Sequence, residues 1–134
     1  MLRSVPRVIV DTAAAVARLS NHKYRFGAVV YRKHQVLGVG HNVVNLYSAY
    51  NTNTKWKNNL HAEHMAIIRA NLYGPNQARK VSVYVHRLNN SGNGALLARP
   101  CCNCMALLAD AGVLDVYYSD SEGSIAYERI SKSV

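Results

Sequence analysis

Apolar positions change their spacing several times along this chain, and each change marks an element. Val5, Val8, Ile9, Thr12, Ala13, Val16 and Leu19 follow three- and four-residue spacing, which predicts an amphipathic helix running to about Ser20. Ser4 suits its N-cap, and Pro6 is tolerated in its first turn. Two short apolar runs, residues 26–31 and 35–41, flank the polar Arg32-Lys33-His34 and predict a β-hairpin. Residues 42–59 are rich in asparagine and threonine and predict a long polar loop ending on Asn58 and Asn59, both suitable helix caps. A second helix then starts near His61, buries Ala66, Ile67 and Ala70, and stops at Gly74-Pro75. Val81, Val83 and Val85 alternate with Ser82 and Tyr84, the signature of a strand, and a flexible loop follows over 89–94. Pro100 opens a third helix whose face of Cys101, Cys104, Met105, Leu108 and Ala109 closes at Gly112. Residues 114–119 and 125–130 read as two last strands.

The order is therefore α-β-β-α-β-α-β-β, an α/β chain with five strands. About four residues around Asp120 to Gly123 separate the final two strands. That is too short for a parallel crossover, so the pair is expected to be antiparallel and the sheet mixed. No repeat, low-complexity tract or linker interrupts the pattern, and 134 residues can enclose one continuous core, so residues 1–134 are expected to form a single domain. No apolar run approaches the roughly 20 residues of a membrane span. Asp11 and Arg18 interrupt the N-terminal apolar stretch, which therefore reads as a helix rather than a signal peptide. All three cysteines fall between positions 101 and 104, leaving no disulfide framework. A reducing, cytoplasmic location is the expectation.

Charge changes the picture next. The chain carries a formal net charge of +9. Between Asp11 and Asp110 twelve lysines or arginines face a single carboxylate, Glu63, whereas from residue 110 onward five acids face two bases. A positive field over the central part attracts phosphate, on a nucleotide or on a polymer.

That same central part holds the chemistry. His61-Ala62-Glu63 is followed about forty residues later by Pro100-Cys101-Cys102-Asn103-Cys104. One imidazole and two thiolates supply three ligands for zinc and leave a fourth position open, as catalytic rather than structural zinc sites do. His64 is the one nearby residue that could close such a site, and on a continuing helix it points away from the metal. Glu63 is left free to move protons. Cys101 and Cys104, three apart on a helix, share a face, whereas Cys102 lies about 100° round from Cys101 and is expected to be a small buried residue.

The H-x-E…P-C-x-x-C pattern is the signature of the zinc-dependent nucleobase deaminases. Over roughly residues 5–120 the chain resembles the cytidine/deoxycytidylate deaminase superfamily. The resemblance implies a three-layer α-β-α fold with helices on both faces of the sheet. It also implies one Zn2+ per chain on His61, Cys101 and Cys104, with Glu63 as the catalytic proton carrier in hydrolysis of cytosine to uracil. Asn42, at the end of the second strand, corresponds to an asparagine that touches the nucleoside; a plain strand-end turn residue is the alternative. Backbone groups around Ala62 and Cys101 are implied to hold the pyrimidine edge. Relatives are commonly dimers, tetramers or hexamers, which implies a homo-oligomer.

Free-nucleoside deaminases carry Asn-x-Glu where this chain has Asn42-Val43-Val44, and a cysteine where it has His61. Loss of that ribose-binding carboxylate, in an acid-poor region, favours a phosphorylated pyrimidine such as deoxycytidylate. Arg25, Lys55 and Lys57 around Trp56 are candidate phosphate or substrate contacts. The alternative is cytosine in single-stranded DNA or RNA, since Trp56 between two lysines, with Tyr47 and Tyr50 nearby, can stack bases along a basic track. A zinc fold that binds nucleic acid without chemistry is a third reading, disfavoured by the intact Glu63. Adenine is the weakest enzymatic option. No membrane partner is expected.

Overall fold

The computed structural model describes residues 5–20, 24–44, 59–70, 81–89, 91 and 94–130. Helix α1 (Arg7–Ala17) precedes strands β1 (Phe26–Arg32), β2 (Gln35–His41), β3 (Val43–Val44) and β4 (Asn59–Leu60). Helix α2 (Ala62–Ala70), β5 (Ser82–Leu88), β6 (Ala95–Leu96), α3 (Cys102–Asp110), β7 (Asp115–Ser119) and β8 (Ile125–Arg129) complete the order. All five expected strands form one sheet in the order β2-β1-β5-β7-β8. Only β5 and β7 run parallel; β1 is antiparallel to both β2 and β5, and the final pair is antiparallel as expected.

Two short pairings escape a periodicity argument because two residues are too few to show a period. Strand β6 extends the sheet beside the end of β5, with Leu96 opposite Arg87. Strands β3 and β4 pair Val43 with Leu60, so the ends of the supposed polar loop are zipped together rather than open. The Ser4 cap, the interior of that loop with Tyr47, Tyr50, Lys55, Trp56, Lys57 and Asn58, and the Gly74-Pro75 stop lie outside the described residues.

Topology places the helices. The chain steps in one direction across the sheet, from β2 over to β5 and from β5 to β7, through α2 and α3 in turn. Right-handed crossovers taken in the same direction put both helices on the same face. Their core holds Ala28, Val30, Val83, Val85 and Val116 from the sheet with Ala66, Ile67 and Leu108 from the helices. Helix α1 covers the opposite face, where Ile9 and Ala13 meet Val29, Tyr31, Tyr84 and Tyr117. Successive strand residues thus feed alternate cores, and both sets are apolar because both faces are covered. Fully burying one such valine or leucine is worth about 1.5–3 kcal/mol, which fixes the register.

Helix α1 is shorter than its pattern, and Val8 and Leu19 stand 51% and 67% exposed. Its end tightens into three-residue bonds, Leu19 N to Val16 O at 2.9 Å and Ser20 N to Ala17 O at 3.1 Å. This turn carries buried Ser20 toward Asn42, with the hydroxyl 2.6 Å from the Asn42 carbonyl oxygen and 2.7 Å from its Oδ1. On the other face α2 lies directly against β2. A β-carbon added at Gly38 would sit 2.5 Å from the Ala66 carbonyl oxygen, and one at Gly40 2.5 Å from the Ala66 nitrogen, so only glycine admits the helix this close.

Candidate active site

Helices α2 and α3 begin side by side. His61 immediately precedes α2 and Cys101 caps α3 with extended backbone (φ −68°, ψ 167°) and no side-chain bond to the helix. Neither helix has intrahelical partners for its first N–H groups, so two positive helix ends converge where the sequence pattern puts anionic sulfur. His61 Nδ1 lies 3.2 Å from Cys104 Sγ and 3.8 Å from Cys101 Sγ, and all three ligand atoms fall within 4.8 Å of one another. Zinc bonds near 2.0 Å to nitrogen and 2.3 Å to sulfur place tetrahedral N and S ligands about 3.5 Å apart. The trio fits one such ion, and among the described residues it is the only metal-competent group. His64, the one sequence candidate for a fourth ligand, stands outside it.

Electrostatics agrees with that fit. Cys104 is fully buried, and burial, followed by the nearby Glu63 and Cys101, drives its thiol pKa far upward. A buried cluster of acids of this kind ionises only with a cation among them. Glu63 is itself 5% exposed, and desolvation raises its carboxyl above the ordinary range while its own backbone N–H and Cys104 pull the other way. A buried carboxyl that the metal trio does not need as a ligand is free to take and return protons.

The expectation of a buried Cys102 is wrong: its side chain is exposed. The buried stripe of α3 runs through Cys104 and Leu108, and Cys102 is about 200° round from Cys104. The rotation that turns it from the metal also turns it from the sheet.

A pocket of about 250 Å³ opens on the trio, lined by Tyr24, Phe26, Asn42, His61, Ala62, Glu63, Arg99 and Cys101. Of the expected substrate contacts, Asn42 and Ala62 therefore reach it. Asn42 is also a structural staple, its Oδ1 accepting from the Phe26 N–H (2.9 Å) and its Nδ2 donating to the Tyr24 carbonyl (2.6 Å). Arg25 does not line the pocket. Tyr24 and Phe26 on either side of it do, while the Arg25 guanidinium reaches the Asn89 carbonyl at 3.4 Å. Lys55, Trp56 and Lys57 lie outside the described residues.

Sequence reasoning missed several supports. The Arg87 guanidinium lies 5.2 Å from the Tyr24 ring centre and 5.5 Å from that of Phe26, adding positive charge behind the aromatic wall. Ser119, 2% exposed, accepts from the Arg87 N–H (3.2 Å), donates to the Leu96 carbonyl (2.8 Å), and through its own carbonyl takes the Ala98 N–H (2.9 Å). This one residue fixes the path of the segment that delivers Arg99, Pro100 and Cys101. Nothing in a strand-end serine announces that role.

A profile of the cytidine and deoxycytidylate deaminase zinc-binding region matches residues 5–120. The chain belongs to the cytidine and deoxycytidylate deaminase family. It is a zinc-dependent deaminase, a hydrolase, and the His/Cys/Cys group can bind its one metal ion. No curated protein sequence matches the deaminase. Among solved structures it is similar to cytidine deaminase from Burkholderia pseudomallei, with a TM-score of 0.66 and 17% identity over 95% of this chain and 94% of that one. It is also similar to dCMP deaminase from the cyanophage S-TIM5 in apo form, with a TM-score of 0.60 and 24% identity over 90% and 89%. The same cyanophage enzyme in complex with dCMP and dUMP gives 0.58 and 21% over 87% and 85%. At these identities the likeness establishes the deaminase fold. No helix among the described residues of the deaminase is long and apolar enough to cross a membrane.

Proposed function

We propose that this deaminase acts on cytosine carried by a phosphorylated pyrimidine nucleotide, deoxycytidylate being the substrate we name, and releases uracil nucleotide and ammonia. His61 through Nδ1, Cys101 and Cys104 are the zinc ligands. The bound ion supplies a Lewis acid that makes water acidic enough to react at neutral pH. Glu63 does the proton work. It accepts one proton from the attacking water and passes it to ring nitrogen N3 as the water oxygen joins C4. The second water proton goes to the amino group by the same carboxyl, the C4–N bond breaks, and ammonia leaves. Asn42, pinned by Ser20, Phe26 and Tyr24, keeps one amide N–H for the nucleoside, and the backbone at Ala62 borders the base edge.

The observation that carries this reading is the meeting of a compact Nδ1/Sγ/Sγ trio and a buried Glu63 carboxyl in one pocket. A phosphorylated substrate is further supported by the basic charge of residues 12–109 and by Arg99 lining the pocket, with Arg87 against the rings of its aromatic wall. The cyanophage enzyme of the same fold, seen with dCMP and dUMP, points the same way. The test is a panel of dCMP, deoxycytidine and a cytosine-bearing single-stranded oligonucleotide, with ammonia and uracil measured for zinc-loaded wild type and Glu63→Ala. Turnover of dCMP that vanishes in Glu63→Ala with zinc retained is expected. Turnover of the oligonucleotide alone would reverse the substrate assignment, and near-normal activity of Glu63→Ala would overturn the mechanism.

A further inference from the structure

The pocket has a dry floor and a wet mouth. Glu63 lies at the floor, 5% exposed, whereas the Arg99 side chain is 51% exposed and yet lines the same cavity. Arg99 is the one guanidinium or ammonium group among the described residues lining it. It stands two residues before Cys101, a stretch of chain that can span at most roughly 7 Å. A nucleotide that seats its base on the metal trio projects its charged end away from the floor, toward this mouth.

Arg99 is also held in place, which exposed arginines seldom are. Its Nη2 donates to Glu128 Oε1 at 2.9 Å and its Nε to Oε2 of the same carboxylate, a two-pronged clamp from strand β8. Tyr118 on β7 donates to Glu128 Oε2 at 2.6 Å, fixing the clamp in turn. These bonds occupy one edge of the guanidinium and two of its five N–H donors. Three donors are not taken by Glu128, and the clamp has already removed much of the side chain's rotamer freedom. Preorganised charge-assisted donors of this kind bind an oxygen anion more tightly than a free lysine at equal distance.

We infer that Arg99, oriented by Glu128, is the residue that recognises the substrate's phosphate and so sets preference for nucleotide over nucleoside. The inference rests on the nucleotide reading above and names the group that enforces it. Because Glu128 offsets much of the charge, Arg99 contributes aimed donors more than bare attraction. Glu128 is a positioning residue; Arg99 makes the contact.

The test is the ratio of kcat/KM for dCMP to kcat/KM for deoxycytidine in zinc-loaded protein. Loss of a charge-assisted contact in Arg99→Gln is expected to lower that ratio about 10- to 100-fold, through KM for dCMP. Arg99→Lys keeps the charge but not the fork and is expected to lower it at least several-fold, and it carries the test alone if Arg99→Gln does not accumulate as folded protein. A ratio unchanged in the folded variants overturns the inference while the nucleotide reading stands. Wild-type protein that prefers deoxycytidine to dCMP overturns the nucleotide reading itself.

Discussion

Replacing Gly40 by alanine tests whether the active site depends on how closely α2 lies on β2. The new methyl carbon would meet the Ala62 carbonyl oxygen, would stand 2.5 Å from the Ala66 nitrogen and 2.8 Å from the Met65 β-carbon, where ordinary contact begins at 3.4 Å. Two of these three neighbours are helix backbone, which cannot rotate aside, so the start of α2 must retreat from the strand by about 1 Å. Overpacking of this kind costs about 1–3 kcal/mol. The retreat carries His61 and Glu63 with it while Cys101 and Cys104 stay on α3, and a displacement near 1 Å at reacting groups can lower the rate about 100-fold. Gly27→Ala is the control, because its methyl presses on the Ala13 carbonyl oxygen and the Ala17 nitrogen of α1, across the sheet from the site. Both variants should show a lower urea midpoint. At a temperature where both are folded, Gly40→Ala alone should lose kcat by one to two orders of magnitude and bind zinc more weakly in chelator competition. If Gly40→Ala is destabilised yet keeps kcat within about threefold of Gly27→Ala, the claim that this contact sets the catalytic geometry is wrong.

Three further outcomes follow from particular contacts. Ser119→Ala leaves the Arg87 N–H and the Leu96 carbonyl without their partner and should cost about 1–3 kcal/mol in denaturant titration, with weaker zinc retention because the segment before Cys101 loses its anchor. Removing zinc with a chelator should lower Tm by roughly 10 °C or more, since a ligand at a thousandfold excess over its Kd stabilises by about 4 kcal/mol; an unchanged Tm would remove the trio from the account of stability. His86 is buried, and burial together with the Arg18 charge holds its imidazole below the ordinary 6.5. The unfolded chain therefore binds more protons, so His86's contribution is intact above about pH 6.5 and is lost as pH falls below it. A plot of Tm against pH should slope downward there and flatten in His86→Gln.

Much of the frame was legible because it rests on period. Val81, Val83 and Val85 alternate so regularly that only a strand fits, and the five residues between Ser119 and Ile125 leave an antiparallel return as the sole geometry. The metal trio was legible because ligand chemistry allows few residue types, and spacing within Cys101–Cys104 sets a shared face. What stayed hidden depends on contacts distant in sequence. Ser119 looks like any strand-end serine until Leu96, Ala98 and Arg87 are brought around it. Arg25 looked suitable for phosphate because it is basic and just precedes the first strand, but its guanidinium reaches the Asn89 carbonyl, a contact 64 residues away in sequence, while its neighbours Tyr24 and Phe26 line the pocket. Val8 and Leu19 satisfied helical spacing, yet the covered stripe of α1 is narrower than the apolar one.

Charge segregation raises a separate question, because the acid-rich stretch after residue 109 could cancel the field of the basic stretch before it. Contacts decide how much of it can. Asp120 spends its carboxylate on the turn between β7 and β8, accepting from the Glu122 and Ser124 N–H groups at 2.9 and 2.8 Å. Asp115 accepts from the Tyr127 hydroxyl at 2.6 Å, on the face of the sheet covered by α1. Glu128 alone among these meets a pocket-lining cation, and it grips one edge of Arg99 with its pKa held below the usual carboxylate range, first by Arg99 and then by Tyr118. The acidic end therefore orients a cation at the mouth, while Arg87 remains behind the aromatic wall with its Nε buried and bonded to no partner among the described residues. A strand at the far edge of the sheet is thereby tied to the pocket, so changes in β8 should alter substrate preference before they alter the chemistry at Glu63.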